Sequence, residues 1–145
     1  MFLLDTNVIS EQRKMGTARE HPHVSAWTRA TALETMSVSV VTLRELETWV
    51  LLWERRDPPQ GLHMRRWYED GVLAAFASRI HPVDQTVATR CAALHVPDPR
   101  PVADSLIAAT ALVHGLTVIT RNTADFAPMG VKCLDPWLPE YQSKR

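Results

Sequence analysis

Met1-Phe2-Leu3-Leu4-Asp5-Thr6-Asn7-Val8-Ile9-Ser10 is an apolar run cut off by an acid and a polar turn. The run is too short for a helix and is apolar at successive positions, which suits a buried central strand of a parallel sheet. Asp5, Thr6 and Asn7 then form a turn and cap before a helix that carries Val8 and Ile9. The same punctuation recurs along the chain. Met36-Ser37-Val38-Ser39-Val40-Val41 alternates, is rich in β-branched residues and predicts a strand, with Glu45 just beyond it. Asp104 lies at the start of a long alanine-rich helix, and Thr117-Val118-Ile119-Thr120 predicts a strand followed by Asn122 and Asp125.

Between these points the pattern alternates strand and helix. Val24, Trp27 and Leu33 suggest a second helical segment running to Glu34, and Leu43, Leu46, Val50 and Trp53 recur at the spacing of one buried helical stripe. Asp57-Pro58-Pro59-Gln60-Gly61 breaks that helix, and Leu62 resumes one to about Ser78. These two helices form a hairpin standing off the sheet. A brief strand at residues 80–83, a helix from Asp84 through Leu94, and a proline-rich turn follow. A helix at residues 102–114 ends at Gly115, placed for a left-handed cap, and residues 131–134 form a last strand. Such an order predicts an α/β fold of three layers, α/β/α, with a mostly parallel central sheet and a protruding helical hairpin. At 145 residues and 46% hydrophobic content, the chain reads as one domain, 1–145, able to bury a core.

In an open α/β sheet the carboxyl ends of neighbouring strands meet at one crevice, so Asp5, Glu45, Asp104 and the Asn122/Asp125 pair are expected at a common edge. Clustered carboxylates repel one another unless a hard cation sits among them, and Mg²⁺ or Mn²⁺ suits oxygen ligands. Each acid also has a local explanation. Asp5 is placed to cap a helix, Thr42 and Glu45 fit a capping box, Asp104 suits the positive end of a helix dipole, and Asp125 lies in a loop. Only their joint placement favours a site.

Composition narrows the alternatives. The formal net charge is +0, so no global basic excess announces nucleic acid, although acids gathered at one site leave the remaining surface net basic. Arg13, Lys14, Arg19, Arg55, Arg56, Arg65 and Arg66 are candidates for that rim, with solvated helix faces as the plainer reading. Cys91 and Cys133 have no CxxC spacing and are read as buried reduced thiols, and the six histidines show no zinc-binding spacing. Phosphate-cradling glycine motifs do not occur, and Asn7 stands where a phosphotransferase would need a second acid. Asp5 interrupts the first apolar run, which argues against a signal peptide, and no segment is long enough to span a membrane; a cytoplasmic protein is expected.

Four segments together resemble PIN-domain ribonucleases, specifically toxins of the VapC and FitB type. They are Leu3-Leu4-Asp5-Thr6-Asn7-Val8-Ile9-Ser10, Val40-Val41-Thr42-Leu43-Arg44-Glu45-Leu46-Glu47, Asp104-Ser105-Leu106-Ile107-Ala108-Ala109-Thr110-Ala111 and Thr120-Arg121-Asn122-Thr123-Ala124-Asp125-Phe126. They stand in the family's order across nearly the whole chain. The resemblance implies that Asp5, Glu45 and Asp104 are the metal-binding acids, with Thr6, Asn7, Thr120, Asn122 and Asp125 completing the pocket. Some members carry an acid where this chain has Asn122, which leaves the fourth position open between Asn122 and Asp125.

The resemblance further implies a Mg²⁺- or Mn²⁺-dependent endoribonuclease acting as the toxin of a toxin-antitoxin pair. A homodimer, a cognate antitoxin and a higher toxin-antitoxin assembly go with it. The alternatives are a catalytically silent domain of the same fold that binds RNA or antitoxin and regulates transcription, and a nuclease acting on DNA. Arg121 lies between two pocket positions, where it contacts an RNA phosphate or pairs with a nearby acid. Trp49, Trp53, Trp67 and Tyr68 sit on the hairpin helices. Core packing is the default for them, and exposed members would stack on bases or line a groove for an antitoxin helix.

Overall fold

A computed structural model describes residues 1–139. Strand β1 (Phe2–Leu4) leads through Asp5 into helix α1 (Thr6–Gln12), and α2 (Pro22–Ala30) follows. Strand β2 (Met36–Ser39) feeds α3 (Val40–Arg56), and α4 (Pro58–Arg66) continues through a π-helical segment (Trp67–Leu73) into α5 (Ala74–Phe76). Then come β3 (Ile80–His81), α6 (Gln85–Leu94), α7 (Val102–His114), β4 (Thr117–Ile119), α8 (Thr123–Phe126) and β5 (Cys133–Leu134).

The five strands are ordered β3-β2-β1-β4-β5, and every pairing is parallel. Alternation along β1 and β4 divides the core. Leu4 and Ile119 face a layer built from α1, α2 and the hairpin, with Trp27, Leu46, Val50, Met64, Tyr68 and Phe76. Leu3 and Val118 face the other layer, with Ile107, Ala108 and Ala111 of α7 and Phe126. The hairpin is therefore anchored by its inner stripe. Its tip at Asp57, Pro58 and Pro59 is exposed, as are Leu51, Leu52 and Leu62 on its outer surface.

The helix starts follow from capping side chains. Ser39 accepts from the Val41 N–H, Asp57 from the Gln60 N–H and Asp84 from the Val87 N–H, each satisfying a donor that a first turn leaves open. Gly115 ends α7 at φ 66°, the left-handed position that glycine takes without strain.

Several boundaries differ from expectation. The second helix stops at Ala30, and Leu33–Thr35 is a separate 3-10 turn. Strand β2 stops at Ser39 because the Ser39 hydroxyl caps α3 three residues before Thr42, the cap the sequence pattern suggests. Thr42 thus sits inside the first turn of α3 and cannot be its cap, so the capping-box reading of Glu45 fails. Cys91 is buried, but Cys133 is only half-buried on edge strand β5.

Candidate active site

The carboxyl ends of β1 and β4 are adjacent, because Leu4 pairs with Ile119. Asp5 therefore meets Thr120, and the Asp5 N–H extends the ladder by donating to the Ile119 carbonyl at 2.9 Å. The Asp5 side chain does two things at once. Its Oδ1 accepts the Thr6 N–H at 2.8 Å as the cap of α1, and its Oδ2 accepts the hydroxyl of fully buried Thr120 at 2.8 Å. Asn7 Nδ2 donates at 3.4 Å to both Asp5 Oδ2 and Thr120 Oγ1, and the Asn122 N–H donates to Thr120 Oγ1 at 3.0 Å. Capping and site membership are thus compatible roles of one carboxylate.

Glu45 enters from the neighbouring strand's helix. The Thr6 hydroxyl donates to Glu45 Oε1 at 2.6 Å, a short charge-assisted bond that ties α1 to α3, and Thr42 Oγ1 lies 3.4 Å from Thr6 Oγ1. Asp104 comes from the first turn of α7 and Asp125 from that of α8.

Electrostatics show that these groups share one region. Burial raises the Asp5 carboxyl above its ordinary range against the lowering effect of the Thr120 and Thr6 hydrogen bonds, and the charges of Asp104 and Glu45 raise it further. Burial also raises Asp104, followed by the charges of Asp125 and then Glu45. Among the described residues none of these four acids makes an ion pair. Two carboxylates, Asp5 and Asp104, whose proton affinity is raised by burial and acidic neighbours, with no ion-pair partner among the described residues, make a region that favours a cation.

No three of the described His, Cys, Asp and Glu side chains are gathered closely enough to hold an ion by themselves. The donor chemistry nevertheless fits a hard divalent ion, since Mg²⁺ typically keeps several waters and takes only one or two carboxylates. Asn122 makes no side-chain cap bond to α8 and takes part through its backbone, whereas Asp125 acts on Asp104 through its charge.

Among the described residues Arg121 pairs with no acid. Its guanidinium lies 5.2 Å from the Trp137 ring centroid, and its N–H donates to Asn7 Oδ1 at 3.3 Å. Sequence reasoning misses Trp137, which follows the last strand as an isolated aromatic with no periodic pattern around it. The capping reading also hides Thr42, although its place three residues before Glu45 puts both on one helix face.

Residues 2–131 match the PIN domain family. The chain belongs to the PIN-domain family. It is 38% identical to the toxin FitB of Neisseria gonorrhoeae, over 94% of this chain and 99% of that protein. It is 35% identical to the VapC ribonuclease Y4jK of Sinorhizobium fredii, over 96% and 99%. The crystal structure of FitAcB from Neisseria gonorrhoeae superposes with a TM-score of 0.86 at 35% identity, covering 94% of this chain and 99% of that one. A toxin-antitoxin complex from Klebsiella pneumoniae shares the fold at TM-score 0.64 and 25% identity, with 94% and 98% covered. Among the described residues of this PIN domain, no helix is long and apolar enough to cross a membrane.

Proposed function

We propose that this PIN domain is a divalent-metal-dependent endoribonuclease, the toxin of a toxin-antitoxin pair, working as a homodimer and neutralised by a cognate antitoxin. The observation that carries this reading is the mutual charge effect of Asp5, Glu45, Asp104 and Asp125 near the carboxyl edge of a parallel sheet, with no ion-pair partner for any of them among the described residues. The ribonuclease and toxin names of its relatives support the same activity.

Asp5 and Asp104 would hold the ion, Mg²⁺ or Mn²⁺, with Glu45 as a further ligand or as the group that orients the attacking water. When bound, such an ion supplies a Lewis acid for the phosphoryl oxygens and lowers the pKa of water. The protein's part is to fix the donors. Thr120 and the Thr6 N–H hold the Asp5 carboxylate in one rotamer, and the Thr6 hydroxyl aims Glu45. Asp125 rather than Asn122 supplies the fourth position, because its charge reaches Asp104.

Purified protein should cut single-stranded RNA with Mg²⁺, lose cleavage in EDTA and lose it in Asp104→Asn. EDTA-resistant cutting, or full activity in Asp104→Asn, overturns the proposal. A second reading is a silent domain that binds RNA or antitoxin and regulates transcription. It is favoured by the absence of a complete three-donor cluster among the described residues, and RNA binding without cleavage in any divalent ion would establish it. Matched RNA and DNA strands distinguish the sugar, since contacts to the 2′-hydroxyl are what separate the two.

A further inference from the structure

A depression of about 380 Å³ opens beside the acidic site, lined by Asn7, Ser10, Glu11, Arg13, Lys14, Trp49, Arg121 and Trp137. It joins the site through Asn7, which donates to Asp5 Oδ2 and accepts the Arg121 N–H. Among the described residues that line it, its charge is the reverse of its neighbour's: three cations, Arg13, Lys14 and Arg121, against the carboxylate of Glu11. Both guanidiniums are held on indole faces, Arg13 at 5.6 Å from the Trp49 centroid and Arg121 at 5.2 Å from that of Trp137. Neither arginine makes an ion pair among the described residues, whereas Lys14 reaches Glu11 at 3.5 Å. An arginine laid on an aromatic ring keeps its charge and loses much of its rotamer freedom, so it is pre-set for an anion. The alternation of fixed cations and aromatic surface is that of grooves which track a single-stranded backbone and stack its bases.

We propose that this depression is a subsite for the RNA strand flanking the scissile phosphate. Lys14 and Arg121 take the backbone phosphates, Arg13 braces the floor on Trp49, and the Arg121–Trp137 stack receives a base. The inference rests on the nuclease reading for its substrate and names the residues that position that substrate. The cations favour a polyanion. An acidic peptide of a protein partner would satisfy the charges but would leave the stacked arginine and indole surfaces without a planar partner.

The test uses two variants of equal charge change, Lys14→Gln/Arg121→Gln and the remote pair Arg90→Gln/Lys132→Gln, each made with and without Asp104→Asn. Binding of a fluorescein-labelled single-stranded RNA is followed in EDTA across a salt series, and cleavage is followed in Mg²⁺. Lys14→Gln/Arg121→Gln should weaken RNA binding about tenfold or more, and lower the slope of log affinity against log salt by about 0.7 for each phosphate no longer neutralised. KM should rise with little change in kcat, Trp137→Phe should reduce the quenching of protein fluorescence by RNA, and the remote pair should behave as wild type. Equal RNA affinity and salt slope in the two double variants overturn the subsite, as does a loss confined to an acidic peptide probe. If wild type binds RNA through these residues and cuts nothing in any divalent ion, the subsite stands and the nuclease reading falls.

Discussion

Two clusters of carboxylates lie on this molecule, and they are solved in opposite ways. On the hairpin, Glu47 and Glu54 surround Arg65, which bonds both oxygens of Glu47 at 2.7 Å and those of Glu54 at 2.9 and 3.2 Å, with Glu69 at 3.7 Å. The Glu47 and Glu54 side chains hold the guanidinium proton more firmly than usual, and the Arg65 bond holds the Glu54 carboxyl below its ordinary range. At the sheet edge, Asp5 and Asp104 are raised by burial and by their acidic neighbours, and none of the four acids has an ion-pair partner among the described residues. The first cluster is complete and joins two helices. The second is incomplete, and its shortfall of positive charge is what supports the proposal of an ion bound there. The comparison also removes Arg65 from the basic rim expected of the sequence, since its charge is already used.

The sharpest break of this comparison is Asp104→Asn. It should reduce metal-dependent RNA cleavage by roughly 10²–10³-fold, the scale of losing one principal electrostatic group at a reacting centre, as read by single-turnover assays. Cleavage within tenfold of wild type would place Asp104 outside the chemistry.

On the hairpin side, Gly61 packs against Glu54 so closely that an added Cβ would lie 2.7 Å from the Glu54 backbone nitrogen. Gly61→Ala should therefore destabilise the protein by about 1–3 kcal/mol, the usual scale of overpacking, in urea unfolding. Its cleavage rate at low temperature should stay close to wild type. A large loss of activity in a folded Gly61→Ala protein would show that the two clusters are coupled.

Thr6→Val removes the hydroxyl that holds Glu45 and should lower kcat about tenfold, the lower range for groups that orient metal ligands. Thr6→Ser should restore most of that loss.

The smallest effects concern stability. The folded state binds protons at Asp5 and Asp104 more tightly than the unfolded chain does, so their ionisation costs stability as pH rises above the ordinary carboxylate value of 3.8. Asp104 is only half-buried, so water screens part of that cost. Asp104→Asn should thus raise Tm at pH 7 by about 3 °C at most, on the order of 1 kcal/mol, with the gain fading as the pH falls through that value. Mg²⁺ should raise the Tm of wild type and have less effect on the variant, while Arg65→Met should lower Tm regardless of the ion.

How much of this was legible depends on whether the signal was local. Asp5 and Asp125 had local signals, because they follow apolar strand runs, as did Asp104 at the head of an alanine-rich helix and Gly115, because helix termination there calls for a left-handed residue. Glu45 was only half legible. Its capping-box pattern was present, but Ser39 started the helix early and left Glu45 free to meet Thr6, 39 positions earlier in the chain. The π-helical segment Trp67–Leu73 and the place of Trp137 beside Arg121 depend on tertiary packing, and no periodicity announces either. Arg65 and Arg121 looked alike in sequence; what separates them is which side chains the fold brings near.

The position of β1 in the middle of the sheet sets a schedule for the molecule. Asp5 leaves the ribosome 115 residues ahead of its clamp Thr120, and nearly as far ahead of its ladder partner Ile119. A growing polypeptide therefore carries the first acid long before it can assemble the edge around it. The hairpin, held by contacts near in sequence, is free to form earlier. Whatever this edge does to its substrate, it begins only after Thr120 has been made.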